Sequence, residues 1–497
     1  MGYDMRDYIE DLKKIGEPVI EIDEEIDWNL EAAAFASMIG RVSGPVVIFN
    51  NIKGYPRGYR LLAGMFTGTW ERPHRRLSAA IGLSPEISYR EFFWELANRE
   101  SRILKPIEVA TGPCKEVIKM GKEANLYGLP WPYYSQGDGG RYSLSQAIIC
   151  KDPDSDWVNW ANYATMIHSR NRLSVAALVG AQLAQIFRTK YEARNQSMPV
   201  CVAIGGDPVI FIASGSGLPE GVSEADIAGA LRGAPMELVR AETNELLVPA
   251  DAEIVIEGEM RPYERLPEGP KAESFQFQAG PRRPTYAIRV TCITHRNDPI
   301  LPVMAQNWMG DVQSFVSSIG PAIYFAYKYD LGLPIKMSGF MSHAPGTITI
   351  STSKPYDGYM RDLYDRIYCV GAMAHWDKVY VVDDDVDPTD CDQVLEAVFT
   401  QVNPARDYNI TDNDSPKAMI AGAYLDDIDL ERNALELSCL TTKHIVDATT
   451  KGNTRIRRTS FETVFPEHLQ RWVIDNWQRW GFKEKAKWNK PYIDQKT

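Results

Sequence analysis

The chain has 497 residues, 44% hydrophobic and 24% charged, with a formal net charge of -12. That balance excludes a disordered chain and argues against nucleic acid or an anionic membrane as partner, leaving a globular protein of two or three domains that meets small molecules. Seven scattered cysteines without a CxxC pair, an acidic amphipathic start and no run of about 18 apolar residues predict a cytoplasmic protein with no membrane segment.

In chain order, Met5 to Ile15 carries apolar residues at helical spacing, and Pro18 to Ile22 alternates as a strand does. Asn29-Leu-Glu-Ala-Ala-Ala-Phe predicts a helix capped near Asp27. From Thr111 to Ile300 the pattern becomes short β-type runs between Gly and Pro turns: Ser145–Cys150, Val158–Ile167, Pro199–Ala203, Val209–Ile212, Glu253–Ile256 and Tyr286–Thr294. One helix, near Ser223–Leu231, interrupts them, so a β-barrel-like segment is expected. Beyond Pro302 the pattern alternates again, with helices over Gln313–Tyr329 and Tyr359–Ala374 and strands over Thr347–Thr352 and Lys378–Val382. The predicted fold class is α/β in the α+β sense: an N-terminal α/β domain over 1–110, a barrel-like domain over 111–310 and an α/β domain over 311–497. The last helix begins at Pro466, stops at Gly481 and puts Leu469, Trp472, Val473 and Trp480 near one face, to pack on its own domain or on a second subunit.

Several segments bear on chemistry. Trp157 to Ile167 reads as a strand, yet its Asn and Trp residues stand where β-branched residues would suit a buried face, which fits either a ligand lining or an ordinary strand. With period two, Trp160, Asn162 and Ala164 share one face, while Asn159, Ala161 and Tyr163 share the other. Pro267-Glu-Gly-Pro-Lys-Ala-Glu flanks a Gly-Pro turn with Glu268 and Glu273, either a carboxylate pair that can supply a proton or two surface glutamates. The acidic run Asp383-Asp-Asp-Val-Asp lacks the spaced glycine and terminal glutamate of a calcium loop and reads as a strand-end loop. No HExxH, GxGxxG, P-loop or GxSxG is present, which disfavours zinc peptidase, dinucleotide, nucleotide-phosphate and serine-hydrolase chemistry.

Taken in order, Asn29-Leu-Glu-Ala-Ala-Ala, Thr111-Gly-Pro-Cys-Lys-Glu, Asp138-Gly-Gly-Arg-Tyr, Asn159-Trp, Ala213-Ser, Gly221-Val-Ser-Glu-Ala, Asn244 to Gly258, Pro267-Glu-Gly-Pro and Thr294-His-Arg-Asn form one series. The series resembles the UbiD family of flavin-dependent (de)carboxylases, with spacing most like the ferulate and cinnamate branch, over about residues 5–482. The resemblance implies a central split β-barrel holding prenylated FMN and a C-terminal α/β domain that assembles a homodimer or homohexamer. It also implies a flavin prenyltransferase as cofactor supplier, and an aromatic or unsaturated acid and CO2 as small-molecule partners. A divalent metal, manganese with magnesium or iron as alternatives, would take Asn159, Gln182 and Glu224, and potassium would take main-chain groups of Trp160, Ala213 and Ser214. Residues 159–164, namely Asn159, Trp160, Ala161, Asn162, Tyr163 and Ala164, would line the cofactor with Ala181, Gln182 and Glu224, and Lys443 would meet its phosphate. Glu273 would donate the proton that replaces CO2, and Glu268 would orient the network.

Two positions depart from the family pattern: Ala164 stands where an arginine between the two glutamates is expected, and Gln182 where a metal-ligand histidine is expected. An amide oxygen suits a hard cation and gives up the imidazole that suits softer ones. The implied activity is a reversible decarboxylation, with an aryl-CoA or phenyl-phosphate-type substrate as one option for the altered site. Arg188, Lys190, Arg194 and the 483–490 tail would be the cations for such phosphates, or else plain solvated surface. The alternative is a non-catalytic or cofactor-poor subunit of a larger carboxylase.

Overall fold

The structure is a computed structural model that describes residues 2–69, 72, 74–272, 278–279, 282–304, 311, 332–333, 335–339, 347–369, 376–412, 415–416, 427–437, 439–451, 459 and 461–483. Helix Met5–Lys14 opens the chain with a reciprocal capping box between Asp4 and Asp7 and buries Met5, Tyr8, Ile9 and Leu12 along one face. Helix Glu31–Val42 begins four residues after Asp27, because Leu30 takes a positive φ of 72° as its N-cap and Asp27 instead bonds the Asn29 amide. Strands Val19–Ile22, Val46–Phe49, Arg60–Ala63 and Ile300–Val303 form the first sheet, so the chain returns to the N-terminal layer after leaving the middle segment.

The middle segment builds a ten-stranded antiparallel sheet, among the described residues, that curls into a half-barrel. Its path runs Arg141–Ser143, Thr165–Ser169, Arg172–Val175, Arg283–His295, Ile254–Met260, Met198–Ile204, Gln146–Lys151 and Val158–Ala161. Strand Arg283–His295 is long enough to take four other neighbours at its two ends: Arg172–Val175 and Arg265–Glu268 at one, Ile254–Met260 and Val117–Met120 at the other. Alternating apolar side chains of these strands fill a buried core with Trp131, Leu173, Phe187 and Ile288.

Two expectations are corrected here. Val209–Ile212 is a turn of helix Pro208–Ser214, with Asp207 capping the Val209 amide and Pro208 in its first turn. A short, fully apolar run is ambiguous between buried strand and buried helix, and the Asp-Pro start signal decides it. The run Val158–Ile167 is two strands, Val158–Ala161 and Thr165–Ser169, separated by residues 162–164. The backbone there bonds outside the ladder: Asn162 N–H donates to the Ser214 carbonyl, the Tyr163 carbonyl accepts from Gln146, and the Ala164 carbonyl accepts from Ala176. Period-two facing therefore ends at Ala161.

Helix Tyr89–Glu100, capped by a Ser88–Glu91 box, joins the layers by sending Phe92 and Leu96 into the first core and Phe93 and Ala97 into the C-terminal core. The C-terminal sheet is Ile335–Gly339, Thr347–Thr352, Lys378–Asp383, His444–Ala448 and Tyr408–Ile410. The predicted helix Gln313–Tyr329 lies outside the described residues, and Tyr359–Ala374 is helical through Arg366, with one further 3-10 turn to Cys369 and its last residues outside them. Asp383 and Asp387 accept bonds from Thr450 and Thr389, as a strand-end loop does. Helix Glu467–Trp477 continues to Gly481 as expected, but its Leu469, Trp472 and Trp480 stay exposed, Trp472 at 52%. Cys114, Cys150, Cys201, Cys292, Cys391 and Cys439 are free thiols, and no described helix is long and apolar enough to cross a membrane.

Candidate active site

The end of strand Val158–Ala161, the end of helix Pro208–Ser214 and the start of helix Glu224–Arg232 converge on one buried cluster. Trp160 N–H donates to Glu224 Oε2 at 2.7 Å, Val158 N–H to Ser223 Oγ at 3.4 Å, and Asn162 N–H to the Ser214 carbonyl at 3.1 Å. Asn159 is fully buried, with Nδ2 3.9 Å from Cys150 Sγ; its Oδ1, and the buried Trp160 Nε1 and Asn162 Nδ2, have no partner among the described residues. Glu224 is 2% exposed, and burial pushes its carboxyl up to about 8. Burial likewise pushes the neighbouring Cys150 thiol up to about 12.

Orphaned buried polar atoms cost folding free energy, on the order of 1–3 kcal/mol each, unless a ligand satisfies them. Asn159 Oδ1 and the Glu224 carboxylate are hard oxygen donors, and a divalent cation between them would supply the missing charge and bonds. This donor set fits a hard divalent metal. Gln182 starts helix Gln182–Ile186 and gives its Nε2 to the Leu218 carbonyl at 2.8 Å, which leaves its amide oxygen as acceptor. Ala181 is the N-cap of that helix, and the Ala213 carbonyl accepts from Ser216. No group of three His, Cys, Asp or Glu residues suited to a metal occurs among the described residues, so any metal here leans on amide oxygens.

A second cluster surrounds Glu268, which is 4% exposed at the end of strand Arg265–Glu268. Its Oε1 accepts from the Tyr142 hydroxyl at 3.1 Å, and its Oε2 lies 3.6 Å from Arg283 Nε on the paired strand. His168 belongs to this neighbourhood: Nε2 lies 3.0 Å from Ser174 Oγ, burial and then the Arg282 charge lower its proton affinity, and the Glu268 charge opposes them. The turn at Asp138 clamps the chain beyond Glu268. Asp138 Oδ1 accepts from the Ala272 amide at 2.7 Å, and Gly139 N–H donates to the Pro270 carbonyl at 2.7 Å. Gly139 packs so tightly on the Gly269 carbonyl that no side chain fits there.

The structure thus brings Asn159, Trp160, Asn162, Ser214 and Glu224 together, with Glu268 in a separate buried cluster. Glu273 lies outside the described residues. Lys443 is buried just before strand His444–Ala448 of the C-terminal sheet, 4.5 Å from the Tyr368 ring centroid, with burial lowering its proton affinity. Its described neighbours Tyr368, Thr411 and Asp377 are not part of the Asn159–Glu224 cluster. Sequence reading passed over Tyr142, His168 and Arg283; Tyr142 stood in the Asp138-Gly-Gly-Arg-Tyr motif, whereas nothing local marked the other two. The cations proposed for a large phosphorylated substrate have partners: Lys190 pairs with Asp152 at 2.6 Å, Arg194 with Asp154 at 2.6 Å, and Arg188 donates to the Glu436 carbonyl.

Comparison with known proteins matches three family models of 3-octaprenyl-4-hydroxybenzoate carboxy-lyase: the N-terminal domain over residues 9–96, the Rift-related domain over 105–307 and the C-terminal domain over 340–448. Pyrrole-2-carboxylic acid decarboxylase of Pseudomonas aeruginosa is 28% identical over 96% of this chain and 98% of its own. Ferulic acid decarboxylase 1 of Saccharomyces cerevisiae is 27% identical, covering 97% and 98%. Among solved structures, the closed form of vanillic acid decarboxylase from Sedimentibacter hydroxybenzoicus superposes with a TM-score of 0.84 at 26% identity, covering 97% of this chain and 99% of that one. A UbiD-class enzyme from Pelotomaculum thermopropionicum in complex with FMN gives 0.73 at 26%, covering 92% and 97%.

The clamp yields a direct test. Gly139→Ala drives a methyl group into the Gly269 carbonyl, so the segment after Glu268 must shift by a fraction of an ångström or more. The expected outcome is a loss of about 1–3 kcal/mol in stability, read by denaturant unfolding, and about 100-fold in turnover, because misplaced groups react poorly. Turnover equal to the parent's would show that the clamp does not position the site.

Proposed function

The chain belongs to the UbiD family of carboxy-lyases, and from that premise we propose that it is a reversible decarboxylase of aromatic or α,β-unsaturated carboxylic acids that works with prenylated FMN. The polar cluster of Asn159, Trp160, Asn162 and Glu224 is the observation that carries this reading, because its buried atoms without a partner among the described residues call for a charged ligand. The FMN-bound relative and the aromatic-acid decarboxylases among the relatives support the same cofactor and substrate class.

In this reading Asn159 and Glu224 hold a divalent cation, manganese with magnesium or iron as alternatives, with the Gln182 amide oxygen as a further donor. Main-chain groups of Trp160, Ala213 and Ser214 hold potassium, the 159–164 segment with Ala181 lines the flavin, and Lys443 answers its phosphate charge. Prenylated FMN, when bound, supplies the place where the electrons of the breaking carbon–carboxyl bond are held. The protein's own share is position and protons. Glu268, fixed by the Tyr142 hydroxyl, orients the acid network, and Glu273 gives its proton to the carbon that CO2 leaves. Burial around the site excludes the water that would compete for that carbon. Because Lys190 and Arg194 are already paired, a free aromatic acid suits the site better than a CoA ester. The exposed Leu469, Trp472 and Trp480 of the terminal helix suit a homodimer or homohexamer contact.

Three outcomes test these assignments. Protein made with a flavin prenyltransferase is expected to carry near-stoichiometric prenylated FMN by mass spectrometry and to release CO2 from aromatic acids, while Glu273→Gln keeps the flavin and loses at least about 100-fold in turnover. Absence of flavin under both expression conditions would favour the non-catalytic subunit instead. For the metal, Glu224 without a cation keeps its proton up to about pH 8, so the folded state binds more protons than the unfolded chain between the ordinary carboxylate range and 8. Cation-free protein therefore loses stability as pH rises through that window. Manganese binding, which displaces the proton, tightens by about tenfold per pH unit up to 8 and then levels off. Titration calorimetry reads this, and a flat profile, or no change in Glu224→Gln, removes Glu224 from the metal site. For assembly, Trp472→Asp is expected to convert the oligomer to monomer in light scattering, and an unchanged mass assigns the interface elsewhere.

A further inference from the structure

The proposed role of Glu268 leaves open what holds its charge, since the residue expected to do so is Ala164. Ala164 sits in the break between strands Val158–Ala161 and Thr165–Ser169 and offers only its carbonyl, to Ala176. Arg283 answers from the other side. It stands directly opposite Glu268 in the antiparallel pairing of Arg265–Glu268 with Arg283–His295, and its Nε reaches to 3.6 Å of Oε2. That ion pair is the one side-chain polar contact the structure gives Arg283 among the described residues, so its charge is not shared with a competing carboxylate. The Tyr142 hydroxyl bonds the other oxygen at 3.1 Å. One hydrogen bond and one ion pair, on different oxygens and from separate strands, hold the carboxylate from two sides. Burial makes the arrangement consequential, because a carboxylate 4% exposed without its cation is a costly uncompensated charge.

We propose that Arg283 is the positioning residue of this active site: from strand Arg283–His295 it pairs with Glu268 and holds that side chain in place for the reaction, a task position 164 cannot perform. The inference rests on the reading of Glu268 as part of the acid network. Arg283 is assigned no contact with substrate, and its effect passes through Glu268. Its neighbour Arg282 does not duplicate it, because Arg282 turns to the Gly269 and Gly139 carbonyls.

A double-variant cycle over Arg283→Gln and Glu268→Gln in the full chain tests this with two readouts. In flavin-free protein, Arg283→Gln should lower the melting temperature by several degrees, and adding Glu268→Gln should restore most of that loss, since the stranded charge is then gone. In flavin-loaded enzyme, Arg283→Gln should lower kcat by about 10- to 100-fold with KM within about twofold, Arg283→Lys should recover most of it, and Arg283→Gln should cost nothing further in the Glu268→Gln background. Equal losses in both backgrounds, or full kcat in Arg283→Gln, overturn the proposal. If Arg283→Gln loads no flavin, the melting cycle and the lysine variant decide alone: no restoration by Glu268→Gln, or no recovery by lysine, overturns it. Full turnover in Glu268→Gln by itself removes the underlying reading and the inference with it, whereas an impaired Glu268→Gln beside an unaffected Arg283→Gln removes the inference only.

Discussion

The antiparallel ladders of strand Arg283–His295 are the constraint from which the site takes its shape. Four strands pair with this one, and its two ends do different work. At the first end Arg283 faces Glu268 across the ladder. At the other, Arg296 follows directly and reaches Asp4 and the buried Glu253, which also holds Arg6, so the N-terminal helix is tied to the same strand. The chain then enters the N-terminal sheet as Ile300–Val303. A one-residue slip would turn every side chain of the strand to the opposite face, and would part Arg283 from Glu268 and bury charge against the apolar core.

The first cluster depends on a different balance. Asn159, Trp160, Asn162 and Glu224 are held by the packing of three element ends, with buried polar atoms that make fewer bonds among the described residues than they can. A fold tolerates such debt where a ligand cancels it, and the apolar core around Trp160, Phe211 and Ala213 supplies the stability that carries it meanwhile. The break at residues 162–164 belongs to the same design. An uninterrupted strand would point Asn162 and Ala164 to one face, but the break sends the Asn162 amide to Ser214 and lets the chain turn toward the Glu268 cluster.

The two departures at 164 and 182 have unequal consequences. Gln182 keeps an oxygen for a hard cation and anchors itself through Leu218, so the first cluster retains a coherent donor set. Ala164 retains nothing, and the charge it lacks is present on another strand. Loss at one position and supply from a distant one is invisible along the chain, because a cross-strand pair joins residues by register and not by spacing.

Much was legible in the sequence. Apolar periodicity with its caps located helices Met5–Lys14, Glu224–Arg232 and Glu467–Trp477 and most strands of the central sheet, since local propensity and burial agree there. Motif order pointed to the family, and Asn159, Glu224 and Glu268 emerged from it as the groups that are buried in the fold. Where local signals conflicted the reading slipped: the apolar run Val209–Ile212 is helical because Asp207 caps it, and the strand through residue 163 breaks because distant acceptors and donors compete for its backbone. By itself, then, the sequence determined most element types and the family, both of which depend on local pattern and motif order. Only the tertiary structure decided which buried groups lack a partner among the described residues, which glycine touches which carbonyl, and which arginine meets Glu268, because those follow from strand register and from contacts between residues well separated in the chain.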